Sequence, residues 1–146
     1  MGKKKYAVVT GGTRGIGFAI AKRLVEDGLE VVVTGTKKDA EHPYGTSYYP
    51  VDFLDNDSVV NFVKFLKQQQ VDILINNAGI NKIGEFSLIN IEDFDKVLQV
   101  NLRTPFQLCQ AVIPSMKKNN WGRIINLTSI FGNITKEYRA PYSSSK

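Results

Sequence analysis

Residues 10–17 read TGGTRGIG, and they directly follow the short apolar run YAVV at residues 6–9. An apolar strand that enters a glycine-rich turn and then a helical pattern predicts a strand–turn–helix unit. Gly11 would permit the tight turn, whereas Gly15 and Gly17 would let the backbone and the helix approach a bound pyrophosphate, helped by the N–H groups of the helix start. The glycine stretch alone also fits a purely structural turn, and its position between strand and helix is what favours phosphate binding.

Apolar strands alternate with helical patterns along the rest of the chain. The patterns predict strands at 6–10, 31–33, 47–51, 72–76 and 123–127, and helices after Ile16, after Asp55 or Asp57, and over 94–116. Because the strands are apolar throughout, we expect a parallel sheet covered on both faces. With right-handed crossovers, this predicts an α/β fold with a doubly wound, Rossmann-like sheet. Only about a dozen residues separate the second and third strands, so this crossover can hold at most a short helix.

The composition is that of one globular domain. The chain has 146 residues, is 42% hydrophobic and 23% charged, and carries a net charge of +5. Its basic residues are scattered without interleaved aromatic residues, which argues against a nucleic-acid partner. The single cysteine, Cys109, lies in a predicted helix interior and fits a reducing compartment, so we expect a packed thiol and a cytoplasmic protein. No apolar run approaches the ~18 residues of a membrane span, so no membrane partner is expected.

The residues after the second predicted strand bear on the choice of a dinucleotide. An acidic residue there favours a free ribose 2′-hydroxyl, as in NAD. The stretch at residues 34–38 is TGTKK, and no acid occurs before Asp39. Arg14 and Lys37 could both reach a 2′-phosphate, so NADP is predicted and NAD is the less favoured cofactor. The alternative is that Lys37 and Lys38 are simply solvated loop lysines.

Residues 142–146 read YSSSK. On a helix, Tyr142 and Lys146 would lie on one face, one turn apart. A free tyrosine has a pKa of about 10, which is too high for a good proton donor and acceptor at neutral pH. An adjacent ammonium favours the phenolate and lowers that pKa. Considered with the glycine turn, the pair predicts nicotinamide-dependent carbonyl chemistry in which the tyrosine is a usable acid.

Together with the glycine turn, this pair resembles the motifs of short-chain dehydrogenases/reductases, most nearly those of 3-oxoacyl-(acyl carrier protein) reductases. The resemblance covers essentially the whole chain. It implies that Asp52 contacts adenine and that the segment from Asn76 to Gly79 stabilises the central sheet and flanks the cofactor ribose. The full set of cofactor-binding residues that it implies is Gly11, Thr13, Arg14, Gly15, Ile16, Gly17, Lys37, Asp52, Asn77, Ala78, Gly79, Tyr142 and Lys146.

The same resemblance implies four catalytic residues, Asn101, Ser129, Tyr142 and Lys146. Tyr142 would be the general acid or base, and Lys146 would lower its pKa and hold the ribose hydroxyls. Ser129 would hydrogen-bond the substrate oxygen, and Asn101 would hold a water that links Lys146 to solvent. The hydride would pass between NADP(H) and a small carbonyl or alcohol substrate, and no metal is needed.

Members of this family continue well beyond the length of this chain. We therefore expect residues 1–146 to be a single dinucleotide-binding domain that lacks the C-terminal strands and the segment closing over substrate, with the sheet incomplete on that side. Three alternatives stay open: an NADP-dependent reductase that is inactive as this chain alone and homo-oligomeric at full length, a truncated non-catalytic nucleotide-binding module, and an assembly fragment with an unpaired sheet edge.

Overall fold

A computed structural model describes residues 4–146, so Lys3 of the basic run at residues 3–5 lies outside the described residues. Five parallel strands form a sheet in the order β3-β2-β1-β4-β5. The strands are β1 Tyr6–Val9, β2 Glu30–Gly35, β3 Thr46–Pro50, β4 Ile73–Asn76 and β5 Arg123–Asn126. The strand order reverses at β1, which is the doubly wound arrangement that the sequence predicts.

Five α-helices connect or follow these strands: α1 Gly15–Glu26, α2 Asn56–Gln68, α3 Ile91–Leu98, α4 Thr104–Lys118 and α5 Ala140–Ser145. Of the two candidate N-caps for α2, the structure uses Asp55, whose carboxylate accepts a hydrogen bond from the Asp57 N–H. Among residues 4–146, no helix has both the length and the apolar character needed to cross a membrane.

The predicted helix over 94–116 is longer and less regular than expected. It begins at Ile91, because the Asn90 side chain caps the first turn by accepting from the Asp93 N–H. A π-helical segment, Gln99–Arg103, joins α3 to α4. Such segments are often found at functional sites, and this one carries Asn101, a predicted catalytic residue.

The core lies on both faces of the sheet, because successive strand side chains point to opposite sides. On one face, Val8 and Leu74 pack with residues of α2 and α4 such as Phe62 and Leu108. On the other face, a smaller cluster joins strand residues to α1. Its buried members are Ala7, Val9, Ala21, Val31, Val33 and Ile75. Burying each of the large side chains contributes about 1.5–3 kcal/mol.

The two sides of the sheet end differently. Between β2 and β3 the chain forms an irregular crossover without a helix, which is one of the two forms that its length allows, the other being a short helix. At the other side, β5 pairs only with β4 among the described strands, and Ile125 is half exposed. The fifth strand is therefore an edge strand within residues 4–146, as expected.

Candidate active site

A cleft of about 1090 Å³ opens at the carboxyl ends of the strands, beside the glycine turn. Doubly wound sheets bind ligands at this end, where the strand order reverses. Eleven of the thirteen predicted cofactor-binding residues line this one cleft: Gly11, Thr13, Arg14, Gly15, Ile16, Gly17, Lys37, Asp52, Asn77, Ala78 and Gly79. The structure thus brings together residues that are up to 68 positions apart in the chain.

The glycine turn is held in shape by hydrogen bonds from β1, β2 and the segment after β4. The Gly11 N–H donates to the Thr34 hydroxyl at 3.2 Å. The Asn77 side-chain amide donates to the carbonyl oxygens of Thr10 at 2.8 Å and Gly11 at 3.0 Å. In return, the Thr10 hydroxyl oxygen accepts from the backbone N–H groups of Asn77 and Ala78, both at 3.0 Å. Thr10 and Thr34 are buried supports that the sequence patterns did not single out.

The first turn of α1 fits a pyrophosphate. The N-cap residue, Arg14, gives the helix no side-chain cap, so the first N–H groups stay available to a ligand. Gly15 has a φ of +56°, and a Cβ there would point into open space. A Cβ on Gly17 would overlap the Asn77 amide and the Gly11 carbonyl oxygen, so only glycine lets the helix lie so close to the turn. The donor groups and the close approach both suit a dinucleotide.

The residues after β2 present charges of both signs to the cleft. Arg14 and Lys37 line it, as predicted, and so do Asp39 and Glu41, which were not predicted. Asp52, at the end of β3, is held by its neighbours, since its carboxylate accepts from the Leu54 N–H at 2.9 Å. The cleft wall therefore has two cations, Arg14 and Lys37, that could contact a 2′-phosphate. It also has two acids, Asp39 and Glu41, that follow Lys37 closely in the sequence.

The helix α5 carries Tyr142 and begins at Ala140, one residue before Pro141, and Lys146 directly follows the helix as its C-cap residue. The Tyr142 ring meets the Phe131 ring edge-on, with the ring centroids 6.4 Å apart. The Lys146 ammonium lies 5.7 Å from the Tyr142 ring centroid and donates to the Leu127 carbonyl oxygen at 2.8 Å. Burial lowers the pKa of Lys146 below its ordinary value.

Ser129 and Asn101 flank this helix. The Ser129 hydroxyl oxygen accepts from the Phe131 N–H at 3.2 Å. The Asn101 side chain is fully engaged: its oxygen accepts from the Ile80 N–H, and its amide donates to the Ile80 carbonyl and to the Ser145 hydroxyl, each at 2.8 Å. Ser145, a buried residue that the sequence did not single out, also donates to the Tyr142 carbonyl at 2.7 Å.

Lys146 and Asn101 lie beside the cleft at Gly79. A Cβ on this cleft-lining glycine would lie 3.5 Å from the Lys146 Nζ and 3.3 Å from the Asn101 Oδ1. Tyr142 and Lys146 do not themselves line the cleft. The structure thus places Lys146 and Asn101 against the cleft wall, with Tyr142 in the helix that ends just before Lys146.

Comparison with known proteins places the chain in a family. The short chain dehydrogenase family profile matches residues 5–146. The chain is 34% identical to the 3-oxoacyl-(acyl carrier protein) reductase FabG of Aquifex aeolicus, covering 97% of this chain and 62% of that protein. It is 32% identical to the D-beta-hydroxybutyrate dehydrogenase of Rhizobium meliloti, covering 97% and 60%. The chain belongs to the short chain dehydrogenase family.

Solved structures agree with this assignment. A putative NAD(P)-dependent gluconate 5-dehydrogenase from Beutenbergia cavernae with bound NADP superposes with a TM-score of 0.88 at 26% identity, covering 97% of this chain and 61% of that one. A metagenomic short-chain oxidoreductase in complex with NADP gives 0.87 at 30% identity, covering 97% and 69%. The chain spans about 60% of the length of the curated relatives it matches.

Proposed function

We propose that this protein is an NADP-dependent oxidoreductase that transfers a hydride between NADP(H) and a small carbonyl or alcohol substrate. The observation that carries the proposal is the single cleft, which is lined by the glycine turn and whose wall at Gly79 adjoins Lys146. Family membership and two NADP-bound structural neighbours support a nicotinamide cofactor. Residues 1–146 form the dinucleotide-binding domain of this proposal.

The preference for NADP rests on Arg14 in the glycine turn and Lys37 after β2, which both line the cleft. A guanidinium and an ammonium favour a phosphate dianion over a neutral hydroxyl. Asp39 and Glu41 line the same wall, so the preference between NADP and NAD depends on which charges lie nearest the ribose. We propose that Arg14 and Lys37 lie nearer the ribose than the two acids.

The chemistry follows from the arrangement of α5 and its neighbours. When bound, the cofactor supplies or accepts the hydride. The Tyr142 hydroxyl would transfer the proton at the substrate oxygen, and the Lys146 ammonium, close to its ring, would favour the phenolate. The Ser129 hydroxyl oxygen already accepts from the Phe131 N–H, which leaves its hydrogen for the substrate oxygen. A water held near Asn101 that links Lys146 to solvent stays a prediction.

The test is a calorimetric titration of residues 1–146 with NADPH and with NADH, each at two salt concentrations. We expect tighter NADPH binding with the stronger salt dependence, because the extra phosphate meets two cations. Lys37→Asp should narrow or reverse the preference. Lys38→Asp is the matched control, because Lys38 does not line the cleft. Equal affinities, or a preference for NADH, would contradict the NADP proposal.

A second candidate function is a nucleotide-binding module or an assembly fragment without catalysis. It is favoured by the half-exposed Ile125 on the edge strand β5, which pairs only with β4 among the described strands. For this reason we expect little reductase activity from residues 1–146 alone. Cofactor binding without turnover in any longer form would support the module.

Two further proposals concern the protein in its setting. We propose a homo-oligomer, supported by the exposed apolar side chains of Leu102, Phe106 and Ile113 along one stretch of helix. We also propose a cytoplasmic location, which rests on the single, partly buried thiol of Cys109.

A further inference from the structure

The strand β3 reaches across to the charged segment that follows β2. The Tyr48 hydroxyl donates a hydrogen bond to the Lys37 carbonyl oxygen at 2.5 Å. Tyr48 itself does not line the cleft, whereas Lys37 does. Tyr48 could therefore influence a ligand in the cleft through the main chain of Lys37.

The phenol is held between the glycine turn and the crossover. A Cβ on Gly35 would lie 3.0 Å from the Tyr48 hydroxyl and 2.9 Å from the Thr13 methyl group, so the main chain of Gly35 fills the space between them. On its other side, the Tyr48 ring stacks on the His42 ring, with centroids 5.6 Å apart and planes inclined by 7°. The His42 ring is fixed in turn by a 2.8 Å hydrogen bond to the Thr46 hydroxyl.

We propose that Tyr48 is a positioning residue for cofactor selection, which fixes Lys37 and the acids Asp39 and Glu41 at the cleft through its hydrogen bond to the Lys37 main chain. The inference rests on the proposed NADP-binding function. It assigns the choice of dinucleotide to a residue that does not itself line the cleft.

The physical reason is the irregular crossover. Residues 36–45 form neither a helix nor a strand, so the main chain of Lys37 lacks the ladder bonds that hold β2. Selection between a phosphate and a hydroxyl requires a cation in one place, because the interaction falls off with distance and solvent screening. Without the phenol, the ammonium would be averaged over more positions, and the neighbouring carboxylates could approach the phosphate.

The hydrogen bond also persists at neutral pH. Burial, and to a smaller degree the Asp39 carboxylate, raise the pKa of the Tyr48 phenol above its ordinary value. The hydroxyl thus stays protonated and remains a donor to the Lys37 carbonyl.

Tyr48→Phe removes the hydroxyl and keeps the stacked ring. One hydrogen bond contributes about 0.5–1.5 kcal/mol, so we expect the dissociation constant for NADPH to rise about two- to tenfold. The constant for NADH should change less than about twofold, because it lacks the phosphate that Lys37 would meet. Tyr44→Phe is the control, since Tyr44 is 99% exposed. In a Lys37→Met background, Tyr48→Phe should change the ratio of the two constants less than it does in the parent, because only the displacement of Asp39 and Glu41 remains.

The outcomes separate the inference from the function. A parent chain that does not prefer NADPH overturns both. A parent that prefers NADPH, with an unchanged ratio in Tyr48→Phe, overturns the inference alone. If Tyr48→Phe weakens the binding of NADPH and NADH equally, the role of Tyr48 is merely structural and the inference is overturned. The same holds if a lowered thermal midpoint accounts for the loss of NADPH binding. If the phenylalanine variant does not fold, Tyr48→Trp, which keeps an aromatic stack without the hydroxyl, is judged by the same ratio.

Discussion

The middle of the sheet and its β5 side differ in how much of their structure is buried. In the middle, β1 is buried over three of its four residues, and three polar side chains brace the glycine turn. At β5, the register neighbour of Ile75 is Ile125, and the two are 3% and 49% exposed, respectively. The same residue type thus lies in two environments, one strand apart.

The middle of the sheet and its β5 side correspond to the two parts of the proposed function, cofactor binding and proton transfer. The cofactor cleft is formed by elements that pack on both faces, so its geometry depends on a complete core. The helix α5, which carries Tyr142 and is followed by Lys146, is a single short helix beside the open edge, and a few buried or partly buried hydrogen bonds hold it in place. We therefore expect mutations in the middle to change stability and cofactor binding, and mutations near α5 to change the proton-transfer step.

The largest expected effect is on the chemistry near the edge. In a form of the protein with measurable reductase activity, Tyr142→Phe should lower kcat at least about a hundredfold, because general acid–base catalysis supplies about 10²–10⁴. The Phe131 ring contact survives, so the thermal midpoint and the dissociation constant for NADPH should change little. Steady-state kinetics and calorimetry measure both quantities.

The control for this variant is Tyr44→Phe, which removes an exposed hydroxyl distant in sequence from α5. Lys146→Ala gives a second comparison. It should impair both kcat and cofactor binding, since the ammonium adjoins the cleft wall at Gly79. Turnover by Tyr142→Phe at a tenth of the parent rate or more would contradict the proposed proton transfer.

A smaller effect, on stability, tests the comparison of the two isoleucines directly. In residues 1–146, Ile75→Ala should lower the free energy of unfolding by about 2–5 kcal/mol, as for other buried isoleucines. Ile125→Ala should cost less than about 1 kcal/mol, because half of its side chain is already in contact with solvent. Urea unfolding measures both. A cost at Ile125 equal to that at Ile75 would show that the edge is covered in solution, and dependence on protein concentration would then identify self-association.

Much of the fold was predictable from periodicity, because the strands are short apolar runs between turn signals. The prediction at 31–33 lies within β2, and that at 72–76 contains β4. The length of the segment between β2 and β3 excluded a long helix there, but it did not decide between a short helix and the irregular crossover that the structure has. The π-helical segment at Gln99–Arg103 was not predictable, because the apolar spacing continues through it and only the main-chain geometry distinguishes it.

In the candidate site, too, some residues were predictable from the sequence and others were not. Glycines, lysines and the YSSSK run carry a signal in residue type and spacing, and eleven predicted residues meet in one cleft. Residues that act through another residue carry no such signal. Ser143, Ser144 and Ser145 are identical in sequence, and only the helix register decides that the last one faces Asn101. Tyr48 likewise matters only once β3 lies beside β2.

The smallest expected effect compares two of these serines. Ser145→Ala would leave a buried Asn101 N–H without its acceptor, at a cost of about 1–3 kcal/mol, whereas Ser144 is exposed and its alanine variant should be neutral. Asn101 also hydrogen-bonds both backbone groups of Ile80, which lines the cleft. Loss of the Ser145 hydroxyl should therefore increase the mobility of α5 relative to the cleft more than it destabilises the core. We therefore expect a drop in kcat of about tenfold or less with little change in KM, and partial recovery in Ser145→Thr, which restores a hydroxyl. Equal effects of the two alanine variants, on either the thermal midpoint or kcat, would show that the Asn101–Ser145 contact does not hold the acid–base helix in place.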